Sequence, residues 1–86
     1  MKYVYPAIFT KEKCGYSVRF PNLEGCVTSG ENLEETMSMA EDALCLMLYD
    51  MEENGQPPPT ASDISSLRCN DDEFVSLVAC NTSTAH

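Results

Sequence analysis

The chain opens on strict alternation. Residues 3–10, YVYPAIFT, set Tyr3, Tyr5, Ala7 and Phe9 on one face and Val4, Pro6, Ile8 and Thr10 on the other, which is the period of a β-strand. Pro6 donates no hydrogen bond, so it belongs where its missing N–H faces no neighbour, or at a bulge. A polar link, KEKCG at 11–15, leads into YSVRF at 16–20, where Tyr16, Val18 and Phe20 point inward and Ser17 and Arg19 outward. The two segments read as a hairpin. PNLEG at 21–25 turns the chain again, and CVTS at 26–29 forms a third short strand. The period then becomes helical: Leu33, Met37, Ala40, Leu44, Met47, Leu48 and Met51 make one stripe in a helix predicted over 33–53. Asn32 is its N-cap, Glu35 three residues on completes a capping-box arrangement, and Glu34 and Glu35 lie where the helix dipole favours anions.

In the middle of that helix ALCLMLY, residues 43–49, is apolar almost all round. Either Leu46 or Tyr49 meets a partner subunit, or the helix lies in a wider intramolecular core. Asn54-Gly55 stops the helix and QPPPT cannot continue it; its prolines stiffen a return path in polyproline II form. Residues 61–73 are polar and acidic, and EFVSLVAC at 73–80 is a nearly continuous apolar run, the pattern of a strand buried on both faces. The order is β-β-β-α-β, without repeats. It predicts an α+β fold in which three antiparallel strands are extended by a fourth lying beside the first, with one long helix packed on one face. Residues 1–80 make the domain, and 81–86 are expected to fray.

Charge divides the chain. Residues 1–30 carry Lys2, Lys11, Lys13 and Arg19 against Glu12 and Glu24, a balance of +2, whereas residues 31–86 carry twelve acids against Arg68, a balance of −11. The total of −9 repels nucleic-acid phosphates and attracts a basic partner. A solvated acidic face that keeps a small protein soluble accounts for the same charge. With 86 residues and 43% apolar content the chain is globular but small, and dimerisation would extend its core.

The five cysteines, at 14, 26, 45, 69 and 80, form no C-x-x-C pair, and Pro6 interrupts the short apolar run that follows Lys2, so no signal peptide is read there. The expectation is a cytoplasmic protein with reduced thiols, most of them small buried side chains. No segment reaches the length of a membrane span. No metal or cofactor motif is present: the cysteines are widely spaced and the lone histidine is His86. Cysteine catalysis lacks a base for the same reason. The neighbouring acids Glu34/Glu35, Glu41/Asp42, Glu52/Glu53 and Asp71/Asp72/Glu73 diverge along a helix or strand, and the strands at 3–10, 16–20 and 26–29 carry no carboxylate for a two-metal nuclease. There is no phosphate-binding glycine loop and no basic helix to enter a DNA groove, so no enzyme is expected.

The opening hairpin and helix start carry a resemblance. Phe20-Pro21-Asn22-Leu23-Glu24-Gly25, then Thr28-Ser29-Gly30-Glu31-Asn32-Leu33-Glu34-Glu35 and Ala40, followed by a helix, a proline-rich return and a strand, resemble the HicB antitoxin family over roughly residues 3–80. The resemblance implies a partial ribonuclease-H-like fold without nuclease activity. It implies as partner a HicA-like toxin, a small basic protein that cleaves messenger RNA and whose active surface the antitoxin covers. Autorepressing members carry a DNA-binding segment after the last strand; here about six residues follow Cys80, which reads either as a lone HicB-like domain or as a shortened chain, and DNA binding is not expected of it. Thr36 and Asn32 stand where alanine and a hydroxyl residue are expected.

Residue by residue, Glu31, Glu34, Glu41 and Asp42 are the expected contacts for a basic partner, against the alternative of plain surface solvation. Phe20 and Leu23 anchor the turn, Gly25 and Gly30 supply backbone angles other residues resist, and Asn32 and Glu35 cap the helix. The competing functions are a self-associating HicB-like module without a toxin and a residual metal-dependent nuclease using Glu34 and Glu41.

Overall fold

A computed structural model describes residues 2–63, 65 and 67–81. Its elements are β1 (Lys2–Glu12), β2 (Gly15–Arg19), β3 (Val27–Gly30), α1 (Leu33–Glu53) and β4 (Glu73–Asn81). The strands form one antiparallel sheet in the order β3-β2-β1-β4, so the last strand does lie beside the first. The helix packs across β3, β2 and β4 on one face.

The hairpin reaches further into KEKCG than its polarity suggests: β1 runs to Glu12, which pairs with Gly15 across a two-residue turn. Side chains at the projecting end of a hairpin are solvated whether or not the backbone is paired, so Lys11 and Glu12 do not end the strand. Pro6 is buried in β1, which has neighbours on both sides. It is tolerated because β2 ends at Arg19, opposite Ile8. At Pro6 one flank of β1 faces no strand and no ladder bond is forfeited there.

The core lies between sheet and helix. Tyr5, Ala7 and Phe9 of β1, Val18 of β2, and Val78 and Cys80 of β4 meet Ala40, Leu44 and Leu48 of α1. The 20–26 turn folds inward on three buried side chains, Phe20, Leu23 and Cys26. Its backbone is locked by Phe20 N–H to Cys26 O at 3.1 Å, Leu23 N–H to Phe20 O at 3.0 Å and Cys26 N–H to Leu23 O at 3.1 Å. Gly25 closes that turn at φ 82°, in the left-handed region.

Gly30 is required for a different reason than backbone angle. Its φ is ordinary, but a Cβ placed there would lie 2.7 Å from Thr36 N and 2.9 Å from Thr36 Cα. The end of β3 and the first turn of α1 touch backbone to backbone. Thr36 is fully buried at this contact, where its Oγ1 donates to Asn32 O at 2.7 Å. The buried line of α1 is therefore Thr36, Ala40, Leu44 and Leu48, with Met37, Met47 and Met51 packed at its flanks. Leu33, placed in the stripe by its spacing, is instead 42% exposed, at the helix end where the buried line begins only with Thr36.

Both helix ends are closed as their sequences suggest. Asn32 Oδ1 accepts from Glu35 N–H at 2.8 Å, and Glu35 Oε1 reaches back to Glu31 N–H at 3.2 Å. At the far end Gln56 N–H bonds Met51 O and Gly55 N–H bonds Glu52 O, with Gly55 at φ 70°: a Schellman closure. The return segment is then pinned at two places, by Tyr5 Oη to Pro59 O and by a reciprocal pair between Asn22 and Ser62 at 2.7 and 3.1 Å.

β4 is not buried on both faces. It is an antiparallel edge strand, so the two-sided burial of an interior strand does not apply, and Phe74 and Leu77 are 38% and 56% exposed. Its entry is fixed by Glu73, whose carboxylate accepts from Asn70 N–H at 2.9 Å, Thr10 Oγ1 at 3.0 Å and Arg19 Nη1 at 3.0 Å. Those bonds, the Asn70 N–H foremost, hold the Glu73 carboxyl below its ordinary range. Phe74 follows, stacked on its register partner Phe9 at 5.1 Å between ring centres.

The cysteines also depart from expectation. Cys45 of α1 and Cys80 of β4 form a disulfide, with Cα atoms 5.4 Å apart and 35 positions between them in sequence. Such a pairing is invisible to spacing because it depends on where the helix crosses β4. Of the free thiols, only Cys26 is buried, which pushes its pKa up; Cys14 and Cys69 are exposed. Asn81 closes β4, and the rest of the expected tail, 82–86, lies outside the described residues.

Two outcomes follow from this packing. Gly30→Ala forces the β3–α1 contact apart and should lower unfolding stability by about 2 kcal/mol in denaturant titration. The lowered Glu73 pKa contributes stability above pH about 4.5 that is lost as the pH falls through the depressed value. Glu73→Gln should therefore flatten the acid limb of a stability-versus-pH curve while leaving the neutral-to-alkaline limb parallel to the parent's.

Candidate protein-binding surface

The helix that closes the core also carries the largest charge on the molecule. Its 21 residues include Glu34, Glu35, Glu41, Asp42, Asp50, Glu52 and Glu53 and not one lysine or arginine. The first two suit the helix N-terminus. Asp50, Glu52 and Glu53 sit at the opposite end, where the dipole disfavours anions. The helix itself supplies no cation along its length. The one ion pair resolved among the described residues, Arg19 with Glu73, is on the sheet.

The helical repeat sorts the expected contact residues. Glu34 and Glu41 are seven positions apart, which returns to within about 20° of the same line, about 10 Å along the axis. Glu52 continues that flank and accepts a hydrogen bond from Tyr3 Oη at 2.7 Å, which raises the Tyr3 pKa. Asp42 is rotated about 100° from Glu41 onto the outer ridge. That ridge it shares with Glu35, Leu46, Tyr49 and Glu53. The Glu53 carboxylate, by hydrogen bonding, raises the Tyr49 pKa. Glu31 precedes the helix and lines a shallow hollow with Glu12, Cys14 and Glu35 at the tip of the β1–β2 hairpin. All four residues, Glu31, Glu34, Glu41 and Asp42, are exposed. They form an extended band rather than one cluster. Among the described residues no group of three His, Cys, Asp or Glu side chains is arranged to hold a metal ion.

The remaining site residues play supporting parts. Phe20, Leu23 and Gly25 shape the turn beneath the helix; Gly30, Asn32 and Glu35 set the helix start. What periodicity missed is apolar. Leu46 is 72% exposed in mid-helix and Val27 is 64% exposed on edge strand β3. With Ala43, Met47 and Asp50 they line an open groove between helix and sheet edge. The apolar run at 43–49 signalled Leu46; nothing in CVTS distinguishes an inward valine from this outward one.

Neither the helix nor any other described helix is long and apolar enough to cross a membrane. Residues 5–83 match the family described as the HicB-like antitoxin of bacterial toxin–antitoxin systems. Antitoxin HicB 2 of Photorhabdus laumondii is 34% identical over 58 residues, 67% of this chain and 42% of that protein. An uncharacterised 14.9 kDa protein of Haemophilus phage HP1 is 31% identical over 61 residues, 71% of this chain and 46% of that protein. The chain spans less than half the length of either. Among solved structures, a toxin–antitoxin complex from Streptococcus pneumoniae contains a chain that superposes with a TM-score of 0.90 at 27% identity, covering 99% of this chain and 73% of that one. Antitoxin HicB of Burkholderia pseudomallei has a TM-score of 0.76 at 20% identity, covering 88% of this chain and 61% of that one, a likeness of fold. With its helix start, turn and strand order all within the matched region, the chain belongs to the HicB-like antitoxin family of bacterial toxin–antitoxin systems.

Proposed function

We propose that this HicB-like domain binds a small basic HicA-like toxin in the cytoplasm and neutralises it by covering its RNA-binding and active surface. The observation that carries the reading is the charge of α1, seven acids and not one lysine or arginine among its 21 residues. A toxin that grips messenger RNA must present cations to phosphates, and the same cations are complementary to a rod of carboxylates. Glu31, Glu34, Glu41 and Asp42 supply the charge, and the exposed Leu46 and Val27 supply apolar area that charge alone lacks. Two solved relatives support the pairing: one belongs to a toxin–antitoxin complex, and another, at 22% identity, to a complex of HicA3 and HicB3. The domain inhibits as a binding protein, not as an enzyme. DNA binding is not part of the reading, since the surface described is acidic.

Self-association is the second reading, favoured by Leu77 on the open edge strand β4. A homodimer joined there leaves the acidic helix free, so the two readings are compatible.

The test is titration calorimetry against a purified basic HicA-like protein. Binding should weaken steeply between 50 and 300 mM salt, and Glu34→Lys with Glu41→Lys should weaken it at least tenfold, about 1.4 kcal/mol. Leu46→Asp should weaken it with little change in salt slope. Salt-insensitive binding unaffected by either change would place the interface elsewhere; no binding to any such protein, together with a concentration-dependent dimer in sedimentation, would leave self-association alone.

A further inference from the structure

The bond between Cys45 and Cys80 has no part in partner binding as described above, and its position gives it another use. Cys80 is the penultimate residue of β4, 4% exposed, and its register partner is Tyr3. β4 is paired on one side only, by β1, so its attachment to the domain rests on that ladder and on whatever ties it to the helix. Val78 packs in the core against α1 and Glu73 bonds Thr10 and Arg19 at the strand's start, and Cys45 adds the one covalent tie, from a half-buried position on α1. The bond closes a loop that holds the second half of α1, the return segment and nearly all of β4. The described residues between Asn54 and Asp72 form little regular structure, and they are pinned by Tyr5 and Lys11 of β1 and by Asn22 of the 20–26 turn.

We infer that Cys45 and Cys80 are a reversible thiol–disulfide clamp that locks edge strand β4 to the helix when oxidised and releases it when reduced. Three observations carry this. The Cα separation of 5.4 Å lies within the span a disulfide bridges, so closure needs no backbone shift. Both side chains border the apolar core, where free thiols pack as small apolar groups, so the reduced chain keeps its fold. And the helix–β4 contact is the one the bond spans, whereas β1, β2 and β3 are joined by ladders that do not depend on it. Reduction therefore acts on one strand and its return path.

The chemistry balances with glutathione as the exchanging thiol. A glutathione thiolate attacks Cys45 Sγ, the more accessible sulfur, and Cys80 leaves as thiolate and takes a proton. A second glutathione thiolate then displaces Cys45 from the mixed disulfide. Two electrons pass from the two glutathione thiols to the protein sulfurs, leaving glutathione disulfide; oxidation is the reverse, with glutathione disulfide as oxidant.

The full chain is equilibrated in buffers spanning reduced to oxidised glutathione, trapped with an alkylating agent and mapped by mass spectrometry, with amide hydrogen exchange on the same samples. Residues 45 and 80 should convert together between two alkylated thiols and one disulfide. In the reduced form, exchange in 73–81 and 56–62 should speed at least tenfold while β1 and β2 change little, and the melting temperature should fall by about 10 °C or more. Cys45→Ala, at the half-buried position, should show the reduced pattern in every buffer. The inference is overturned if the pair stays reduced in excess glutathione disulfide. Bonding of Cys45 or Cys80 to Cys14, Cys26 or Cys69, or identical exchange in β4 in both forms, overturns it equally. None of these readouts involves a toxin, so failure here leaves the binding proposal standing, and the reverse.

Discussion

The contact between Gly30 and Thr36 is where sheet and helix are joined at bond-length economy. A strand must end, turn and begin a helix within two residues, Glu31 and Asn32, and the helix must then lie flat on the sheet it has just left. That is possible only if the strand end has no side chain and the helix side facing it satisfies its own polar atom. Gly30 meets the first requirement, and Thr36, bonding back to Asn32 O, meets the second. The direction of α1 follows, and with it the burial of Ala40, Leu44 and Leu48 and the crossing over β4 that brings Cys45 to Cys80.

Electrostatics then acts on a scaffold already set by packing. Buried groups in this protein are nearly all apolar, and among the described residues no buried side-chain nitrogen or oxygen lacks a hydrogen-bond partner. Most charges consequently lie outside the core, and those with a structural part, Glu35 at the helix start and Arg19 with Glu73 at the entry to β4, act at its margins. An acid at the C-terminal end of a helix weakens it by a few tenths of a kcal/mol up to about 1 kcal/mol, and α1 carries three there. Such a helix holds because its apolar line is anchored. Its surface is thus available for a recognition role that its own stability would oppose.

Much of this was legible in the chain. The ends of α1 agree with the sequence because Asn32, Glu35, Asn54 and Gly55 act locally, through bonds that span a few residues. The place of β4 beside β1 followed from chain connectivity. The misreadings concern what lies across the sheet from a residue, which local pattern does not encode. An apolar run such as EFVSLVAC reads the same at an edge as in a centre, and only the strand order exposes Leu77. Leu33 fits the helical stripe in spacing and direction yet is 42% exposed, because it is the first residue of the helix and the buried line begins only at Thr36. Glu73 was one acid among three neighbours until the fold set Thr10 and Arg19 around it. Glu34, Glu41 and Asp42 lie on the outer side of α1 and Glu31 just before it, whereas the apolar groove beside them rests on Val27, whose outward direction is set by the register of β3 against β2.

The strand order has one further consequence. Lys2 is the register partner of Asn81, so the first and last described residues are neighbours at one corner of the sheet, the corner to which the C-terminal end of α1 also points through Glu52 and Tyr3. The helix start and the hairpin tip lie at the opposite corner. The chain therefore enters the sheet at Lys2 and leaves it at Asn81 side by side, so the domain is held from a single corner. The acids of the helix start, Glu34 and Glu35, lie at the far end from that corner.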